Sequence, residues 1–434
     1  MSQTLRRVAV VGGVRIPFCR SNTFYADQSN LDLMSGALNG LVDRFRLKGA
    51  HIDEVVGGAV VTHSKDFNLA REAVLNTRLA VSTPGITMMQ ACGTSLQAAM
   101  GIAAKIATGE IECGIAVGSD TTSDPPIVVS KKLATRLRDV GLQKTTMDKL
   151  KVFKGFSPSE LAPLPPAVAE PRTGLSMGQH AELMAQEWKI ARADQDKLAY
   201  ESHTKAGEAY RSGYMDDLVV PFAGVYRDNN IREDVTVEKL ATLKTAFDKS
   251  DRATLTAGNS TPLTDGAAAV LLASEQWAAA RGLPVLAYLT HAQHAANNFV
   301  AGEGLLMAPT IAVSKLLDRA GLKLQDFDFY EIHEAFAAQV LATLKAWEDP
   351  LYCKTVLGKD APLGAIDRAK MNVKGSSIAV GHPFAATGAR IVANLAKLLS
   401  EHGGRGLISV CTAGGMGVAA IMESAKAAEI RKAA

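Results

Sequence analysis

Apolar residues along this chain fall into two rhythms, and their alternation sets out a fold. Apolar runs at Val8 to Gly12 and Cys113 to Asp120 read as buried strands, and Ile52 to Val61 reads as a strand behind Asp53-Glu54. Between them, Asp32 to Phe45, Asn68 to Leu79 and the small-residue stretch Leu96 to Ile106 have helical spacing, the last stopped by Thr108-Gly109. The same style returns late in the chain. Thr254 to Leu272 is a polar loop, a small-residue segment and a buried strand, and Pro284 to Leu289 reads as a strand. Thr310 to Ala320 is helical, Phe327 to Ile332 a strand, and His333 to Ala337 opens a helix. Ala386 to Ser400 is helical, Gly406 to Cys411 a strand, and Thr412 to Gly417 a glycine-rich turn before a last apolar strand. Strands alternating with helices imply an α/β fold with a mainly parallel sheet.

The middle breaks this rhythm. Ser176 to Trp188 and Arg192 to Ser212 are helical, Phe222 to Leu255 reads as mixed strand and loop, and Pro158 to Pro171 marks an extended loop. Residues 121–251 are therefore expected to be an insertion, with residues 1–120 and 252–284 forming one half and 285–434 the other. From Lys131 to Lys154, eight Lys and Arg stand against Asp139 and Asp148, which gives +6 and leaves −3 for the rest of a chain of net charge +3. Such a run is commonly a solvated face; its functional alternative is a landing site for an anionic ligand, a membrane surface or a partner.

Two stretches echo each other. Around Cys92 the order is strand, turn, small-residue helix, Gly109-Glu110 and a strand ending at Gly118-Ser119. Around His382 it is strand, turn, small-residue helix, Gly403-Gly404 and a strand ending at Cys411. Residues 51–56 and 325–330 also correspond. Two copies of one unit would pack as a pseudo-dimer, and the two turns would meet across its axis.

Composition narrows the class. A chain of 434 residues exceeds one compact core, and its small net charge argues against a nucleic-acid partner. No apolar run reaches membrane-span length. Met1 to Arg7 leads straight into the first strand without an apolar signal core, so the expected location is cytoplasmic. The five cysteines, Cys19, Cys92, Cys113, Cys353 and Cys411, form no Cys-x-x-Cys pair. That fits a reducing compartment and gives no reason to expect a metal or a disulfide framework.

Chemistry is expected where the turns meet. Cys92 lies at a strand-to-helix junction, where helix-start N–H groups and the helix dipole are expected to lower a thiol pKa. His382, in a Gly-His-Pro turn, is placed to take the thiol proton. Cys411, before Ala413-Gly414-Gly415, offers a second acid/base near neutral pH beside free N–H groups that suit an oxyanion. His333 can donate to a carbonyl oxygen. A nucleophilic cysteine paired with an acid/base cysteine suits making or breaking a C–C bond next to a thioester. Taken singly, each residue has an ordinary packing explanation.

At these positions the sequence closely resembles the thiolase family. The matching segments are Gln90 to Ser95, Asn259 to Ala269, His333-Glu334-Ala335-Phe336, Gly381 to Gly388 and Cys411 to Gly417, in the family's order over nearly the whole chain. The resemblance implies a five-layered α-β-α-β-α pseudo-dimer of two repeated units with an inserted loop domain that binds coenzyme A. It implies Cys92 as the acylated nucleophile, His382 as its base, Cys411 as acid/base at the acetyl α-carbon, and His333 as donor to the thioester oxygen. Ser260, Thr261 and Met177 are implied on the coenzyme A side, and the Ala413 N–H shares an oxyanion hole with that of Cys92. Departures are visible. His333 stands where many members have Asn, Ala413 where many have Gly, Ser176 where a His is frequent, and Thr261 where a Ser is frequent.

The histidine form, the segment Ser377 to Phe384, Pro165 to Glu170 and the basic insertion look most like the branch holding β subunits of trifunctional fatty-acid oxidation complexes and their bacterial counterparts. That branch implies a 3-ketoacyl-CoA thiolase of fatty-acid β-oxidation. Its substrates are acyl-CoA and coenzyme A, with no permanently bound cofactor. It further implies a homodimer or homotetramer, a hydratase/dehydrogenase α subunit as partner, and peripheral membrane contact through the basic insertion. Two alternatives belong to other classes. A biosynthetic condensing enzyme of the ketosynthase type would pair its nucleophile with two histidines, against which Cys411 speaks. A silent interaction subunit would not need the full reactive set.

Overall fold

The computed structural model describes residues 5–164 and 166–425. Met1 to Thr4, Pro165 and the tail from residue 426, which entered the sequence expectations, lie outside the described residues.

Ten strands form one sheet: β1 (Val8–Arg15), β2 (Cys19–Arg20), β3 (Glu54–Gly58), β4 (Gly85–Thr87), β5 (Cys113–Asp120), β6 (Thr264–Ser274), β7 (Ala287–Ala296), β8 (Phe329–Ile332), β9 (Arg405–Thr412) and β10 (Met416–Ser424). Their order is β4-β3-β5-β6-β1-β7-β10-β9-β8, with β2 paired to β6 off this path. Outward from the β1–β7 seam the order is a palindrome. β6 and β10 flank the seam strands antiparallel, β5 and β9 follow antiparallel, and β3 and β8 follow parallel. The seam itself is two residue pairs, Ala9 with Tyr288 and Val10 with Ala287. The echo heard in the sequence is thus a structural repeat, with β5 matching β9 and β3 matching β8.

Alternating side chains along the strands feed two different cores, which is why these strands carry no polar face. Val8, Val10, Val270, Leu272, Ile408, Val410, Val418 and Ala420 face a shared central core with Leu96, Ile102, Val392 and Leu395. Those last four belong to the helices Thr94–Thr108 and Thr387–His402, one from each half. On the opposite faces, Val11, Ile115, Val117 and Leu271 pack on the helices Asn30–Arg44 and Leu69–Leu75. Leu407, Ala419 and Ile421 pack on Ala308–Ala320 and Ala337–Glu348. The result is the expected α-β-α-β-α layering, with the paired helices as the middle layer. These two helices touch through glycine: a Cβ on Gly388 would sit 2.3 Å from the Leu96 nitrogen.

The sheet expected to be mainly parallel is mainly antiparallel, since among the described residues parallel pairing is confined to β3 with β4, β3 with β5 and β8 with β9. Some expected bounds also shift. The strand expected at Pro284 to Leu289 is Ala287–Ala296, because its polar positions His291, Gln293 and His294 continue the ladder with β10 past a bulge at Thr290. The strands expected at Val8–Gly12 and Phe327–Ile332 run Val8–Arg15 and Phe329–Ile332, and the helix expected at Asn68–Leu79 is Leu69–Leu75. Residues 222–255 were expected as mixed strand and loop. Among the described residues they hold no strand of the sheet, only turns and the short helix Val237–Ala241. Side chains replace the ladder there. Asp228 takes both guanidinium nitrogens of Arg15, at 2.5 and 2.6 Å, and the Phe18 N–H. Asn230 donates to the Ile378 and Ala379 carbonyls, just ahead of Gly381-His382. The basic segment consists of the helices Lys131–Leu142 and Thr146–Lys151.

Candidate active site

Cys92 sits on a strained turn. Ala91 before it has φ +45°, in the left-handed region that a residue with a Cβ rarely enters. The Thr94 hydroxyl secures the turn by donating to the Ala91 carbonyl and accepting from the Gln90 N–H. Gly93 is required by closeness: a Cβ there would lie 2.9 Å from both Thr412 Cγ2 and Val418 Cγ2. The turn therefore presses the cysteine against the other half of the molecule.

His382 comes from that other half. Its Nε2 lies 3.1 Å from Cys92 Sγ. Its Nδ1 lies 2.6 Å from Thr387 Oγ1, whose own hydrogen points back to the Pro383 carbonyl. This network assigns the proton to Nδ1 and leaves the Nε2 lone pair facing the thiol. Thr264 on β6 accepts the His382 backbone N–H at 2.7 Å. Gly381 before it has φ +103°, and a Cβ there would meet Thr264 Cγ2 at 2.7 Å.

His333 follows β8 and leaves the sheet with its ring centroid 4.2 Å from that of His382. Cys92 Sγ and one ring nitrogen from each histidine all lie within 4.8 Å of one another. His333 Nδ1 is 2.8 Å from Ser377 Oγ, while His333 Nε2 is buried without a partner. A buried polar atom left unbonded is costly, and at a functional site it marks a donor waiting for an acceptor. Glu334 behind it is held by Ser202, Asn372 and the Ile378 N–H.

Cys411 ends β9 opposite Gly417. It is close enough to Cys92 for the charge on one sulfur to raise the pKa of the other. The backbone N–H groups of Ala413 and of Cys92 itself point at the Cys92 sulfur. Two N–H groups converging where charge develops form an oxyanion hole. The next N–H in the turn, from Gly414, is taken at 2.9 Å by Glu170.

Relative exposures are 8% for Cys92, 4% for His382, 2% for Cys411 and 0% for His333, so all four groups are buried. Burial decides their protonation. Burial pushes the Cys92 thiol up to about 12, against the pull of the two N–H groups. The expectation of a lowered pKa is thereby corrected: desolvation of a thiolate outweighs the helix start. Burial, with Arg390 nearby, lowers His382 to about 3, and burial, His382 and Arg390 drive His333 well below its usual value. Cys411 is raised well above the usual thiol value, first by burial and then by Cys92. The expectation that it titrates near neutrality does not hold; it stays protonated. The resting chamber holds two thiols and two neutral imidazoles.

The expected coenzyme A side gathers at the same place. The Thr261 N–H donates to the Ala335 carbonyl at 3.0 Å, and Ser260 bridges Phe336. Ser260 Oγ is buried without a partner. Met177 opens the helix Met177–Glu187 and packs on the cluster that holds Cys411 and Phe336. Ser176, at the position of the frequent histidine, is spent as that helix's cap. Thr387, Thr264, Ser377, Arg390 and Glu170 were missed as site residues. Thr264, Thr387, Ser377 and Glu170 lay inside motif segments that drew attention in the sequence, without a role of their own; Arg390 lay outside all of them.

A thiol with a neutral imidazole at its sulfur and amide donors beside it is the equipment of a cysteine-dependent acyl-transfer enzyme. Residues 8–276 match the family model "Thiolase, N-terminal domain" and residues 283–424 match "Thiolase, C-terminal domain". The chain belongs to the thiolase family. It is 44% identical over 424 residues to the 3-ketoacyl-CoA thiolase of Shewanella baltica (strain OS185), covering 96% of this chain and 97% of that one. Its structure is similar to human mitochondrial 3-ketoacyl-CoA thiolase, with TM-score 0.79, 28% identity and coverage of 97% and 100%. It is equally similar to the Acat5 thiolase of Ascaris suum in complex with coenzyme A, with TM-score 0.79, 25% identity and coverage of 96% and 100%.

Proposed function

We propose that this chain is a 3-ketoacyl-CoA thiolase, cleaving a 3-ketoacyl-CoA with coenzyme A into acetyl-CoA and an acyl-CoA shorter by two carbons. The observation that carries the reading is the meeting of two buried thiols with two buried imidazoles, His382 Nε2 3.1 Å from Cys92 Sγ. His382 Nε2 takes the Cys92 proton as Sγ attacks the 3-keto carbon, and the Cys92 and Ala413 N–H groups hold the oxyanion. The C2–C3 bond breaks with its electrons on the acetyl-CoA enolate. His333 Nε2–H bonds the enolate oxygen, and Cys411 gives C2 its proton. Free coenzyme A then attacks the Cys92 thioester and delivers its thiol proton to the Cys411 thiolate. His382 returns its proton to Cys92, so all groups end as they began. Run backwards, the sequence is a Claisen condensation.

The insertion, residues 121–251, with Ser260, Thr261 and Met177, is assigned to the coenzyme A side. The edge strand β4, with Ile86 exposed on it and Met89 exposed just after it, is assigned to pairing with a second copy. The insertion also supports a surface role. Its two basic helices expose Leu137, Leu142, Met147 and Leu150 beside Lys131, Lys132, Lys149 and Lys151. Arg136 is turned inward on Glu160 and adds nothing to that face. Apolar residues set among lysines suit an anionic membrane surface or an acidic partner subunit. Among the described residues no helix is long and apolar enough to cross a membrane.

The test is coenzyme A-dependent cleavage of 3-ketoacyl-CoAs of increasing length, read as loss of substrate and appearance of acetyl-CoA. Cleavage at any length supports the reading. Inactivity at all lengths, with decarboxylative condensation from a malonyl thioester instead, supports the ketosynthase alternative. Sedimentation with anionic against neutral vesicles tests the basic face.

A further inference from the structure

His333 is bonded through Nδ1 to Ser377 Oγ, at 2.8 Å. The same hydroxyl accepts from Arg390 Nη2 at 2.9 Å. Arg390 comes from the middle-layer helix Thr387–His402 and is buried, with Nη2 also reaching Ser376 Oγ at 3.3 Å. A guanidinium only donates. Ser377 Oγ therefore meets Arg390 with a lone pair, and its single hydrogen is left for His333 Nδ1. A neutral imidazole that accepts at Nδ1 carries its proton on Nε2. Nε2 is the atom buried without a partner beside His382 and Cys92.

We propose that Ser377 and Arg390 are positioning residues that fix the tautomer of His333, so that Nε2–H faces the chamber as a preset donor to an enolate oxygen. The inference rests on the thiolase reading and deepens it. The two halves of the reaction use different donors. The acyl-enzyme half uses the Cys92 and Ala413 N–H groups, while the C–C half uses His333. A fault in the Ser377 link should appear in the second only. Without the hydroxyl, His333 is free to place its proton on Nδ1, which turns an Nε2 lone pair toward the developing negative charge and opposes it. Arg390 adds a second effect, since a fixed positive charge behind both rings disfavours imidazolium in either.

The experiment compares the full-length protein with Ser377→Ala and Ser377→Thr in three assays. These are thiolysis of a 3-ketoacyl-CoA, exchange of the acetyl-CoA methyl hydrogens with deuterated water, and exchange of labelled coenzyme A into a saturated acyl-CoA. In Ser377→Ala, kcat for thiolysis and the methyl exchange should both fall by about 10- to 100-fold, the range seen when the outer hydrogen-bond partner of a metal-held imidazole is lost. KM and the coenzyme A exchange should stay near wild type, and Ser377→Thr should recover the loss. Equal loss in all three assays would make Ser377 a merely structural residue, and no loss in any would leave the tautomer set by something else; each overturns the inference. A wild-type protein that fails both thiolysis and coenzyme A exchange would instead overturn the functional reading.

Discussion

His382 Nε2 stands 3.1 Å from Cys92 Sγ although 290 residues of chain separate them. The contact is made by the turns that lead into the two middle-layer helices, Thr94–Thr108 and Thr387–His402. Ser95 ties the two starts together: its hydroxyl donates to the Ala385 carbonyl and accepts the Ala389 N–H at 2.8 Å. Asp120, at the end of β5, takes the Ala385 N–H at 2.7 Å from the other side.

Ser95→Ala should therefore disturb stability and catalysis together. It leaves a buried carbonyl and a buried N–H without their partner, at a cost of about 1–3 kcal/mol. Denaturant unfolding should show a lower midpoint with unchanged slope. The rate of Cys92 acylation should fall more than KM rises, because the thiol–imidazole distance is what loosens. Unaltered acylation in the destabilised variant would contradict the tie.

The pH dependence of Cys92 alkylation checks the neutral pair. His382 lies at about 3 and Cys92 at about 12, so neither group changes charge between pH 5 and 8. Iodoacetamide should modify Cys92 at a rate without an inflection near 6.5, the ordinary imidazole value. His382→Ala should slow the reaction across this range. A sigmoid step centred near 6.5 in the wild type would mean that the imidazole titrates normally and that the chamber is wet.

His203 gives a stability test away from the chemistry. It is buried in the helix Arg192–Arg211, accepts the Arg232 N–H, and is lowered to about 4 first by burial and then by Arg232. Between its folded value and the ordinary 6.5, the unfolded chain binds one proton more. Its contribution is thus whole above about 6.5 and is lost as pH falls through about 4, on the order of 3 kcal/mol. Unfolding free energies at several pH values across that interval should fall less steeply for His203→Gln than for wild type. Parallel curves would show that His203 does not titrate on unfolding.

How far the sequence could be read follows from what each feature depends on. β5 was legible to the residue, because a strand buried on both faces is apolar or glycine until its last two positions, Ser119 and Asp120. The echo between the Cys92 and His382 regions was legible because both halves repeat one order of elements, and the palindromic sheet explains it. The far end of β7 was hidden, since its polar residues hold ladder bonds without an apolar face. Residues 222–255 misled because Asp228 and Asn230 satisfy distant backbone and side-chain groups, which no local pattern reveals. The direction of the Cys92 shift was misjudged because a helix start is visible in sequence and burial is not. Ser377 and Arg390 were passed over for the same reason, as each matters only through what it touches.

The central claim is that Cys92 carries the acyl group between two coenzyme A thiols. The most direct measurement is to mix the protein with a labelled 3-ketoacyl-CoA without free coenzyme A, quench in acid, and map the label by peptide mass. The account predicts one acyl group on Cys92, released when coenzyme A is added and absent in Cys92→Ser. An acyl group found on Cys411, or thiolysis at full rate in Cys92→Ser, would contradict it.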